Sequence, residues 1–150
     1  MGMRSYQIYW IGEEFAHYFY GREHSFFQLF FESTIKGKEE KSVIERQIQH
    51  ITQEFSLSAV ASALKKALGG KSGFSSESES LYKVELPKEK GKAVLLTKKH
   101  CLYLKASGSY EAETIFFHAL KKLNACLFAV DFQQKNYGWL APIKKEILFK

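Results

Sequence analysis

The chain has 150 residues, of which 45% are hydrophobic, 15% aromatic and 25% charged, and its net charge is +6. The length suits one domain over residues 1–150 built around one core, and the composition excludes a chain that is disordered throughout. No apolar run approaches the roughly 20 residues of a membrane span, and Met1-Gly2-Met3-Arg4-Ser5-Tyr6 carries neither a signal peptide nor a myristoylation pattern. A cytoplasmic protein with no membrane partner is expected.

Residues 5–11 alternate weakly, carry Tyr6, Ile8, Tyr9 and Trp10, and read as a first strand ended by Gly12. Glu13 and Glu14 then put negative charge in the first turn of a helix over 13–20, where it favours the positive helix end. Gly21 breaks that helix. A second helix from Arg22 to about Thr34 holds Phe26, Phe27, Leu29, Phe30 and Phe31, so it is buried on more than one side. In the third, over 39–55, Ile44, Ile48, Ile51 and Phe55 recur at four, three and four and define one core-facing stripe. Val43, Gln47 and His50 flank that stripe. A fourth helix over 57–68 buries Val60, Leu64 and Leu68 and stops at Gly69-Gly70.

The serine-rich stretch 69–80 reads as a mobile loop inside the domain. Strands are predicted over 81–86, 92–97 and 101–105, with turns at 87–91 and 98–100. Ser109 can cap a helix whose start holds Glu111 and Glu113 and whose end holds Lys121 and Lys122, matching the helix dipole at both ends. Its buried face is Ala112, Phe116, Ala119, Leu120 and Leu123. A strand over 127–132 follows, and 137–142 is an aromatic, turn-rich segment in which Tyr137 and Trp139 anchor the tail. The fold class is therefore α+β, with a mixed or antiparallel sheet packed against several helices.

Little in the sequence points to catalysis. Asp131 is the sole aspartate, and the five histidines form no HxxxH or HExxH pair, so no metal and no catalytic residue is expected. Neither GxGxxG nor GxxxxGK[ST] occurs, which removes the usual phosphate cradles and leaves no cofactor or small-molecule substrate to expect. Cys101 follows His100, but neighbouring side chains on an extended strand point to opposite faces, so His100 is badly placed to activate the thiol. Cys101 and Cys126 read as buried and reduced. Of the 22 basic residues only Arg4, Arg22 and Arg46 are arginines, and the lysine runs in the predicted turns do not interleave with aromatics. A stacking platform for nucleic acid would need that interleaving. A basic nucleic-acid-binding accessory protein is thus the alternative reading.

Three blocks carry a resemblance. They are Glu13-Glu14-Phe15-Ala16 with Gly21-Arg22-Glu23, Gln47-Ile48-Gln49 with Ile51-Thr52-Gln53, and Ala106-Ser107-Gly108 with the run from Tyr110 to Phe117. The last continues through Leu120-Lys121-Lys122, Asp131-Phe132 and Tyr137-Gly138-Trp139-Leu140. Together they resemble the SirA family over essentially the whole chain. The resemblance implies a non-enzymatic protein of early sporulation that binds the N-terminal domain (domain I) of the initiator DnaA and lowers initiation of replication. It also implies a partner-binding surface formed by Phe15, Phe19, Gln47, His50 and Pro142. Phe19 and His50 stand where the family pattern has tyrosine, which keeps flat surface and removes two hydroxyls. Helical periodicity alone reads Phe15 and Phe19 as core, whereas the resemblance puts them at an interface.

Overall fold

The computed structural model describes residues 2–35 and 37–141, with the backbone alone at 38 and 39. Among them, β1 (Arg4–Ile11) leads into α1 (Glu13–Tyr18), α2 (Glu23–Ile35) and α3 (Lys38–Ile51). There follow β2 (Thr52–Gln53), α4 (Leu57–Leu68), β3 (Phe74–Ser78), β4 (Leu81–Glu85), β5 (Gly91–Thr97) and β6 (Leu102–Gly108). The described chain ends with α5 (Glu111–Leu120), β7 (Leu127–Asp131) and β8 (Asn136–Trp139). The strands form one antiparallel sheet in the order β3-β4-β5-β6-β1-β7-β8, with β2 paired to the end of β1. The fold is α+β, as the order of predicted elements implies.

Strand periodicity explains how the sheet is covered. Successive side chains point to opposite faces, so on β7 Leu127 and Ala129 enter one core while Phe128 and Val130 enter another. The first core lies under α4 and α5, and buries Leu64, Leu95, Leu104 and Phe116. The second lies under the first three helices and buries Ile11, Phe26, Phe30 and Phe128. Burying a Phe or Leu side chain fully is worth about 1.5–3 kcal/mol. Phe30 also stacks on Tyr9, with ring centroids 4.0 Å apart.

Several boundaries differ from the sequence expectation. The third helix ends at Ile51, and Thr52 and Gln53 leave it to pair with Ile11 and Trp10. Phe55 is therefore outside the helix, yet it is buried at 3% exposure in the first core. The serine-rich stretch read as a loop carries β3, an edge strand with one mostly polar face. Polar residues hide a strand whose only neighbour is β4. The turn-rich segment after Asn136 likewise carries β8, and Trp139 packs edge-on against Phe128 at 5.0 Å. Tyr137 stacks on Phe27 while staying 40% exposed, so both aromatics anchor this strand. Asp131 is buried in the β7–β8 turn, where Oδ1 accepts the amides of Gln133 and Gln134 at 3.1 Å each.

Glu113 is the largest departure. It does not sit in solvent at the helix start but is 2% exposed. Its carboxylate accepts Arg4 Nη2 at 2.6 Å and Nε at 2.8 Å, and the Tyr6 hydroxyl also donates to it. Arg4 further donates to the Gly108 carbonyl at 2.9 Å and lies 4.3 Å from the Tyr110 ring centroid. The carboxylate raises the arginine pKa, and burial beside it raises that of Tyr6. Removing one partner of a buried pair strands the other charge, at a cost of about 3–5 kcal/mol. Glu113→Ala is expected to lose that much in chemical denaturation. The double variant Arg4→Met/Glu113→Leu, which leaves no stranded charge, is expected to lose clearly less.

Candidate protein-binding site

The helices over the second core have an outer face, and two backbone links fix how its pieces meet. Gly12 N donates to the Ile51 carbonyl at 2.7 Å, which ties the end of β1 to the end of α3. The Thr52 hydroxyl closes that helix by donating to the Ile48 carbonyl at 2.7 Å. Because Gly12 has no side chain, the Phe15 ring can lie over it. A Cβ at Gly12 would stand 3.3 Å from Phe15 Cδ2 and 3.5 Å from the Ile51 oxygen.

This arrangement brings Phe15 against His50, with ring centroids 5.3 Å apart in an edge-to-face pose. Both Phe15 and Phe19 are half-buried: each rests on the second core, and neither is enclosed by it. Phe19 is the residue that ends α1, and its amide still donates to the Phe15 carbonyl at 3.0 Å. Its ring leans on Phe26 at 5.2 Å and on Tyr18 at 4.9 Å. Gly21, with φ of +83°, then turns the chain into α2, a conformation that suits glycine.

On α3, Ile44 faces the core while Gln47 and His50 are exposed. Val43 is one turn from Gln47 on the same side and is 49% exposed. The structure therefore joins Phe15 and His50 directly, with Phe19 one turn along from Phe15 and Gln47 one turn along from His50. Pro142 lies outside the described residues. Tyr18 was missed by the sequence reading. At 71% exposure it is the most open large apolar side chain described, beside Phe19. Its signal was its offset from the stripe of buried Ala16, which turns it outwards on a helix.

The remaining candidates are elsewhere. Among the described residues no group of three or more His, Cys, Asp or Glu side chains is gathered, and no helix is long and apolar enough to cross a membrane. Cys101 and Cys126 are free and buried. Burial pushes the Cys101 thiol up to about 12 and that of Cys126 upward too. His100 points away, with Nδ1 3.8 Å from Glu54.

Two measurements test this geometry. Since only the thiolate is nucleophilic, iodoacetamide at pH 8 is expected to label neither cysteine of the folded chain appreciably and both after denaturation. Gly12→Val should push Phe15 off its seat, shifting the His50 ring resonances and lowering stability by about 1–3 kcal/mol, as overpacking does.

Comparison with known proteins agrees with the blocks quoted above. The family model described as "Sporulation inhibitor of replication protein SirA" matches residues 4–144. The protein of that name from Bacillus subtilis (strain 168) is 42% identical over 144 residues, covering 95% of this chain and 96% of its own. A match of that extent spans every element from β1 to β8, and this chain belongs to the SirA family of sporulation inhibitors of replication.

Proposed function

We propose that this protein inhibits chromosome replication during sporulation by binding the N-terminal domain (domain I) of DnaA in the cytoplasm, through the α1–α3 face and without catalysis. The observation that carries this reading is the contact of Phe15 with His50 on the outside of the helical layer. It unites the two sequence segments that the family resemblance assigns to partner binding. Half-buried aromatics held by a core keep one rotamer, so little entropy is lost when a partner covers them. Exposed Gln47 supplies a polar rim. Aromatic anchors within such a rim are the usual anatomy of an interface hot spot. Occupying domain I would deny that surface to other partners of the initiator.

The second reading, a nucleic-acid accessory protein, draws on the net charge of +6. The two separate by salt. Binding to DNA phosphates weakens steeply as counterions compete, whereas an aromatic interface responds weakly.

Titration calorimetry of the full chain with DnaA domain I tests the proposal. Phe15→Ala is expected to weaken binding by at least about 2 kcal/mol, or roughly thirtyfold, with the fold retained. Gln47→Ala and His50→Ala are expected to weaken it less. Phe19→Ala is expected to lower both affinity and melting temperature, because Phe19 leans on buried Phe26. Variants that lose stability while the folded fraction keeps full affinity would return these residues to the core.

A further inference from the structure

The open edge of the sheet lies far from that face. β3 ends the strand order and pairs only with β4. Glu85 N donates to the Gly73 carbonyl at 3.0 Å, and Phe74, Ser75 and Ser76 oppose Val84, Lys83 and Tyr82 in turn. Bonded and non-bonded pairs alternate along an antiparallel ladder. The N–H and C=O of Ser76 and the C=O of Phe74 therefore face away from β4. Natural edges are commonly blocked by lysine, proline or a covering element. The sequence Phe74-Ser75-Ser76-Glu77-Ser78 holds one charge and no proline, and its register irregularity falls after Ser76, which leaves the Phe74–Ser76 stretch regular.

Beside this edge runs a groove of about 900 Å³ between β3 and α4. Its floor is apolar, made by Leu57 and Ala61 of α4 and by Phe74 and Tyr82 of the strands. The two rings are nearly parallel, 6.3 Å apart, and the Tyr82 hydroxyl is fixed by donating to the Glu79 carbonyl at 2.9 Å. Serine hydroxyls rim the opening. Lys65 and Glu79 both line the groove, so it carries one charge of each sign.

We propose that this groove binds an extended segment of a partner protein, which adds a strand to β3. Its main chain would pair with the outward groups of Phe74 and Ser76, and alternate apolar side chains would enter the groove. An acidic residue of the segment would pair with Lys65 and a basic one with Glu79. Because α4 covers the opposite face of the sheet from α1–α3, this segment and a partner on the helical face can be held together. This inference does not depend on what the helical face binds.

The test is selection of a random nine-residue peptide library, displayed on phage, against the full chain. Recovered peptides are then measured by fluorescence polarisation on the parent, on Ala61→Trp, which fills the groove, and on Ser76→Pro, which removes an outward amide. The selected peptides are expected to alternate apolar and polar residues and to carry one acidic and one basic residue. Ala61→Trp, Ser76→Pro and N-methylation of alternate peptide amides are each expected to weaken binding at least tenfold, with the melting temperature of the variants unchanged. Should Ala61→Trp unfold the chain, Ser76→Pro and the N-methylated peptides carry the same test. Failure to select any peptide, or equal binding to parent and variants, would overturn the proposal. So would sedimentation showing that the edge pairs with a second copy of the chain and that Ala61→Trp abolishes the dimer.

Discussion

The constraint on which the rest depends is that the neighbouring strands β1 and β7 carry buried apolar residues on both faces. β7 is buried at every position, and β1 beside it sends Ile8 to one core and Ile11 to the other. Such strands must be covered twice, and the chain does so by spending α4 and α5 on one side and the first three helices on the other. The proposed binding face is the outer surface of that second cover. Phe15 and Phe19 can present one edge outward because their inner edges rest on residues that the sheet requires to be buried. Half-burial is thus a consequence of the layer, and it reconciles a core role with an interface role.

A second fixed point holds the layers in register. The Arg4–Glu113 pair joins the first residue of β1 to α5, and the Gly108 carbonyl brings in the end of β6. Double pairing to a carboxylate gives direction as well as energy. A buried ion pair adds little net stability over an apolar pair of the same shape, but losing one partner is costly because the other charge is stranded. At the other end of β1, the bond from Gly12 to Ile51 plays the matching part for α3. β1 is therefore tied at one end to α5, which covers the first core, and at the other to the helix that displays Gln47 and His50.

Long periodic elements were legible in the sequence. The fourth helix is found over 57–68 as its apolar spacing requires, and the predicted strands recur as β4, β5 and β6 within a few residues. What escaped was whatever depended on a distant neighbour. β3 is serine-rich and becomes a strand only because β4 offers a ladder, and Phe55 is buried from outside its predicted helix. Glu113 lies three residues before Phe116 and seven before Leu120, so the buried stripe runs through it. Only a partner such as Arg4, from the other end of the chain, makes a carboxylate tolerable there. The site was legible in part: helical spacing placed Gln47 and His50 on one exposed flank. The meeting of Phe15 with His50 was not, since it arises from how β1 and β2 pair. Tyr18 was passed over although its offset from Ala16 turns it outwards, because the sheet decides which side of α1 is buried.

The proposed function requires the initiator to bind the face built by α1 and α3. Amide hydrogen exchange of the full chain with and without DnaA domain I tests it most directly. Exchange is expected to slow in residues 12–20 and 43–53 on adding domain I, with α4, α5 and β3 to β6 unchanged. Protection confined to α4, α5 or the open sheet edge, or no protection at saturating domain I, would contradict it.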